Sequence, residues 1–222
     1  MRAVLLALAI LLPQPVAAGA PSLVIAVGYS PNAPSVKMQL RADYVAVPIT
    51  IQNDAKDPLK RFDQIENALR AISDRVKQHV DLAVRFGVVS LSPREPAKAY
   101  SSSYESSGGS AAQLYVLGPL KADATVFTMA KRIHQVVTTV PVADGTKVLL
   151  GNTTLGMDDP ERFRSQLLGL ISKSAAEARK LLGASGPIEI EGLENPVAVM
   201  QVNESEVVLF INYRARIQMK DK

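Results

Sequence analysis

The chain of 222 residues contains no cysteine, and that absence removes several classes of protein at once. Without thiols there is no disulfide-stapled secreted domain, and no lipoprotein carrying its lipid on an N-terminal cysteine. Metal chemistry is equally poorly supplied. His79 and His134 are the two histidines; neither falls in an HxxxH or HExxH spacing, and a lone histidine in or beside a helix is ordinarily a surface or half-buried ring. No metal ligand and no cofactor is therefore expected. Also missing are a GxSxG elbow, a Walker loop and a GxGxxG following a strand; the glycine pair of "SSGGS" precedes a strand, the wrong setting for cradling a phosphate. Two pairs of near-neighbour carboxylates, Asp158 with Asp159 and Glu189 with Glu191, are accounted for by a helix N-terminus and by the wet face of a strand. No catalytic residue is assigned, and enzyme activity is not expected.

One-sided charge is lacking as well. Lys and Arg number 25 against 21 Asp and Glu, but the signs are interleaved, as in "LKRFDQIENALRAISDRVK", where Glu66 stands four residues before Arg70 in the supportive order. A solvated helix face explains this better than a nucleic-acid surface, which needs a basic stripe with interleaved aromatics. Long apolar runs are confined to the start. Met1-Arg2, then "AVLLALAILL", then "PQPVAAGA" has the layout of a secretory signal: residues 1–18 are predicted to be removed, with cleavage after Ala18. Ten apolar residues cover only about half of a ~30 Å hydrocarbon core, so an anchor is disfavoured and no transmembrane segment is predicted. The short signal and the lack of cysteine point to a bacterial periplasm; the sequons at Asn152 and Asn203 would matter only on a eukaryotic secretory route. With no cross-links available, residues 19–222 must fold around a core as one domain, 19–35 reading as a flexible N-terminal segment.

What is present is a series of well-marked elements. In "DYVAVPITIQ" (43–52), Val45, Val47, Ile49 and Ile51 share one parity, the period of a strand with one buried face. Pro48 predicts an edge position or a bulge there. Asp57-Pro58 opens a helix, whose Leu59, Phe62, Ile65, Leu69, Ile72 and Val76 recur every three or four residues. "DLAVRFGVVSLS" sets Leu82, Val84, Phe86 and Val88 on one side of a strand, and "AAQLYVLGPL" resumes the pattern. A second helix is predicted from Asp123, with Val126, Met129, Ile133 and Val137 inward, followed by one short strand, "TKVLLGNTTL". A third helix is predicted from Asp159-Pro160, with Phe163, Leu167, Leu170 and Ile171 inward, stopping at Gly183. Then come strands in "PIEIEG", "PVAVMQV" and one long run from Glu206 to Met219. In that run Val207, Leu209, Ile211, Tyr213, Ala215, Ile217 and Met219 form the buried side, and the opposite parity, with Asn212, Arg214, Arg216 and Gln218, forms the wet side. The fold class expected from this pattern is α+β: a mainly antiparallel sheet with about three helices packed on one face.

Between two of these strands lies "AYSSSYESSGGS" (99–110). The segment before it offers too little apolar surface to close a core alone, so it reads as a long loop within one domain and not as a linker. Loops of this length in a compact domain are usually functional or disordered. Tyr100 and Tyr104 are the candidate interface or ligand residues: their rings can stack on a ligand or a neighbouring subunit, or serve no specific role in a mobile loop.

Taken in order, the signal, strand, amphipathic helix, strand pair around the Ser/Tyr loop, second helix, strand, and third helix "FRSQLLGLISKSAAEARKLLGASGPIEIEGL" leading to "VVLFINYRARI" resemble the SIMPL domain, formerly domain of unknown function 541. The likeness spans residues 36–219. It lacks two features frequent in that family, a glycine in the first strand and a Pro-Asp pair before the helix. The resemblance implies an α+β fold, a soluble periplasmic location in the cell envelope, and homo-oligomeric self-assembly with contacts to other envelope proteins in envelope maintenance or stress tolerance. It supplies no catalytic residues. The alternative from another class is a periplasmic binding module holding a small molecule or peptide with the 99–110 loop.

Overall fold

A computed structural model of the chain describes residues 23–26, 34–93 and 110–217. The predicted signal, Tyr100, Tyr104 and Met219 lie outside the described residues. The chain runs β1 (Leu23–Ile25), β2 (Met38–Arg41), β3 (Tyr44–Asn53), α1 (Pro58–Lys77), β4 (Ala83–Ser90), β5 (Ser110–Pro119), α2 (Val126–Thr138), β6 (Thr146–Leu150), β7 (Thr154–Asp158), α3 (Arg164–Leu181), β8 (Ile188–Glu191), β9 (Val197–Gln201), β10 (Glu206–Ile211) and β11 (Arg214–Ile217). Every pairing is antiparallel. The main sheet has the order β1-β7-β3-β5-β4 with β6 also beside β3; β2-β10-β9 form a second sheet and β11-β8 a third. The class is α+β.

β3 is the hub. All ten of its residues pair with β5, while on its other side Tyr44–Ala46 meet β7 and Ile49–Asn53 meet β6. Val45, Val47, Ile49 and Ile51 are all buried, as the alternation predicts. Pro48, however, is neither on an edge strand nor in a bulge. The reason is that β3 has two different neighbours on one side, and Pro48 falls in the gap between them. Its carbonyl accepts from Gly151 N at 2.8 Å; since a strand residue points its nitrogen and carbonyl the same way, the missing N–H also faces that gap, where no ladder bond is lost. "TKVLLGNTTL" is accordingly two strands, with the 151–153 connection crossing over Pro48. Only glycine fits at 151, because a Cβ there would lie 2.8 Å from Pro48 Cγ.

α1 begins as predicted: the Asp57 carboxylate accepts from Leu59 N at 2.9 Å and Lys60 N at 3.4 Å, with Pro58 at the first helical position. Its inward face differs by a rotation. Ile65, Ala68, Ile72 and Val76 are buried, but Leu59 is exposed and Phe62 and Leu69 are half-buried. At about 100° per residue Leu59 lies about 120° from Ile65, whereas Arg61 lies about 40° away and completes the buried stripe. α2 starts at its Thr125 cap, whose hydroxyl accepts from Thr128 N at 3.1 Å, and not at Asp123. The segment before it is held as a turn by Arg41, which donates to the carbonyls of Leu120, Lys121 and Ala124. Met129, Ile133, Val136 and Val137 of α2 are buried. α1 and α2 both pack against β3 and β5, and α3 packs against β10.

Asp159-Pro160 opens a 3-10 turn, Pro160–Phe163, and the α-helix proper starts at Arg164. The turn is fixed by Glu161, whose carboxylate accepts from Arg164 Nε at 2.6 Å and Nη2 at 3.1 Å and from Val197 N at 2.8 Å. Leu167 and Ile171 are buried, but Leu170 is exposed, since it sits on the flank of the narrow stripe that reaches the core.

The predicted long final strand is broken at Asn212-Tyr213. β10 stays in the second sheet and β11 leaves it to pair with β8. Asn195 Nδ2 donates to the Asn212 carbonyl at 2.7 Å, and Gly192, with φ 87°, lets the two backbones approach so closely that a Cβ would lie 2.8 Å from that oxygen. The single wet face expected of this run is also corrected. Val207, Leu209 and Ile211 join the main core, yet Val208 and Phe210 are buried too, in a second cluster with Met200. Ala215, assigned to the buried side, is exposed, because β11 belongs to a two-stranded ribbon.

Candidate functional site

The serine-tyrosine segment joins β4 to β5, and the structure describes both of its roots. They are tied together by side chains that the alternation of apolar residues does not single out. Ser110, first residue of β5, pairs with Asn53, last residue of β3. Its hydroxyl accepts from Ser92 N at 3.0 Å and from Arg61 Nε at 3.0 Å, and donates to the Ser92 carbonyl at 3.3 Å. Arg61 Nη1 donates to the Ala55 carbonyl at 2.6 Å, and Nη2 donates to the Ser92 carbonyl. Arg61 is fully buried although always charged. Buried Asn53 completes the group: its amide donates to Gln64 Oε1 at 2.9 Å and Thr146 Oγ1 at 2.8 Å, and its oxygen accepts from Ala55 N at 2.9 Å.

These partners are carbonyls, hydroxyls and amides, which position but do not react. A buried guanidinium costs desolvation, and among the described residues the hydrogen bonds to Ala55, Ser92 and Ser110 help to offset it. The consequence is mechanical: α1, the end of β3 and both roots of the 94–109 segment are joined at one point. A signal for Arg61 was available, since it continues the Ile65/Ile72/Val76 stripe four residues upstream; reading the stripe for apolar residues alone passed it over.

Beside these roots runs β4, the terminal strand of the main sheet. The alternation predicts one buried side for Leu82, Val84, Phe86 and Val88. Leu82 is buried and Val84 half-buried, but Phe86 is 63% and Val88 73% exposed. Two causes combine. Among the described residues β4 has a neighbour on one side only, and its register against β5 shifts: Phe86 opposes Leu114 and Val89 opposes Ala112, so Gly87 and Val88 together face Gln113. That bulge reverses the parity of the residues beyond it. Val89 and Leu91 are 51% and 47% exposed. Four large apolar residues within 86–91 thus face water beside the tied roots, where the sheet has no further strand among the described residues.

The remaining sequence candidates stay apart. His79 follows the end of α1, its Nε2 buried with no hydrogen-bond partner among the described residues; His134 is exposed on α2. Among the described residues no three His, Cys, Asp or Glu converge as a metal group. Asp158 ends β7, and the adjacent Asp159 precedes the 3-10 turn without a capping hydrogen bond from its side chain. Glu189 and Glu191 project from β8 opposite Arg216 and Arg214, with Glu191 to Arg216 at 3.4 Å. Among the described residues no helix is long and apolar enough to cross a membrane. No protein-family model matches this chain, and no curated protein matches it.

Proposed function

We propose that this chain is an exported, non-enzymatic protein of the SIMPL type that works in the periplasm by self-association, serving envelope maintenance or stress tolerance through protein contacts. The observation that carries it is the β4 edge, where Phe86, Val88, Val89 and Leu91 stand exposed on the terminal strand. Apolar side chains gathered on an unpaired sheet edge are what natural proteins suppress unless the surface is used. The α+β architecture agrees with what the resemblance implies. The bulge at Gly87-Val88 interrupts the ladder, so the contact works through side chains and not by simple strand addition.

Light scattering across micromolar concentrations tests this. Wild-type protein is expected at a multiple of the chain mass, and Phe86→Ser with Val88→Ser at the monomer mass, still unfolding in one cooperative transition. A wild-type protein that remains monomeric throughout overturns the reading. The second reading, a module gripping a small molecule or peptide with residues 99–110, is favoured by the tied loop roots. It predicts that Tyr100→Ser with Tyr104→Ser abolishes ligand-induced thermal stabilisation and leaves the mass unchanged.

A further inference from the structure

The gap in the main sheet at Pro48 opens beneath a cleft of about 400 Å³ between α2 and the connection from β6 to β7. Its floor is apolar, formed by Val47 of β3, Leu150 of β6 and Ala130 of α2. Its rim is a set of donors. Lys131, His134 and Gln135 stand three and four residues apart on one face of α2, and Thr153 faces them from the connection. Among the described residues no carboxylate lines the cleft, and Lys131 and His134 make no side-chain hydrogen bond or ion pair.

The neighbouring cations behave differently. Arg132, one position along the helix, is paired with Asp81 at 2.6 Å, and Lys147 in β6 with Asp54 at 3.2 Å. Lys131, over the cleft, has no such partner among the described residues. The cleft is also built into the fold: the crossover that walls it packs Gly151 against Pro48 of β3 and hydrogen-bonds to its carbonyl. An apolar floor of a few side chains under a cationic, hydrogen-bond-donating rim matches a small molecule with a short hydrocarbon body and one anionic end.

We propose that this cleft binds a small aliphatic carboxylate, its chain on Val47 and Leu150 and its carboxylate at Lys131, with His134, Gln135 and Thr153 as further donors. The site is separate from the β4 edge and stands whether or not the chain self-associates.

Calorimetric titration of the purified chain with octanoate tests it, with acetate and 1-octanol isolating head and tail. Octanoate is expected to saturate a single site by about 10 mM, with acetate and 1-octanol each binding at least about tenfold more weakly. Lys131→Met is expected to weaken octanoate by about tenfold, the loss of one charge-assisted contact, without changing 1-octanol binding. Lys131 is exposed, so the variant should fold; an unchanged melting curve confirms that. Failure of octanoate to saturate, equal binding of 1-octanol, or full retention of octanoate binding in Lys131→Met overturns the proposal.

Discussion

β3 and β4 carry the same alternation of large apolar residues, yet one is largely buried and the other is largely exposed. Val45, Val47, Ile49 and Ile51 are covered on one face by α1 and α2 and flanked by neighbours on both sides. Phe86, Val88 and Val89 lie on a strand with a single neighbour among the described residues and a bulge in its ladder. The difference teaches that period-two alternation reports a strand, while burial depends on how many elements surround it. Burial in this sheet is a property of position.

The largest expected effect is at the point joining the two strands. Arg61→Ala removes a buried cation and leaves the Ser92 and Ala55 carbonyls and the Ser110 hydroxyl short of a donor. It should destabilise the fold by about 3–5 kcal/mol in urea unfolding. A loss below about 1 kcal/mol would mean that the tie at the loop roots is incidental.

Next, Ile49→Ala in β3 should cost about 2–5 kcal/mol, whereas Phe86→Ala in β4 should cost less than about 1 kcal/mol. Equal losses at both positions would erase the contrast and place Phe86 in the core. Ser110→Ala should cost about 1–3 kcal/mol, because it removes the hydroxyl that accepts from Ser92 N and Arg61 Nε. The same change at an exposed serine should cost almost nothing.

The smallest effect lies outside both strands. The Arg164 guanidinium hydrogen-bonded to Glu161, helped by Val197 N, holds its carboxyl below the ordinary glutamate value of 4.5 despite some desolvation. A depressed folded value means that this contribution is complete above the unfolded value and disappears as pH falls through the folded one. Wild type should therefore exceed Glu161→Gln in stability by a constant amount from neutral pH down to about 4.5, the two converging in stronger acid. The pair is partly exposed, so the difference should be small. A gap that persists at low pH would show that the substitution acts through packing.

Much of the fold was legible because it is local. Asp57-Pro58 caps a helix through atoms two and three residues away, and Ile65, Ile72 and Val76 repeat with the turn of that helix whatever lies beyond it. Elsewhere two local signals compete. Thr125, two residues past Asp123, offered an equally good cap, and Gly151 with Asn152 could have divided the 146–155 segment. For the candidate site less was visible. Tyr100 and Tyr104 are outside the described residues, and the described roots are held by Ser92, Ser110 and Arg61, whose meeting spans nearly fifty residues of sequence.

The sequence by itself determined the three helices and the main strands to within their ends and breaks, the α+β class, and the absence of any thiol, because these depend on composition and on periods of two and about 3.6 residues. Only the tertiary structure decided which strands became central. It seated Pro48 in a gap between two neighbours, left Phe86 and Val88 on an edge, buried Val208 and Phe210 against the alternation, and drew Arg61 into the core. Each of those outcomes turns on which distant element arrives alongside. That is fixed by the total area buried and the hydrogen bonds satisfied over the whole chain, and no window of neighbouring residues contains it.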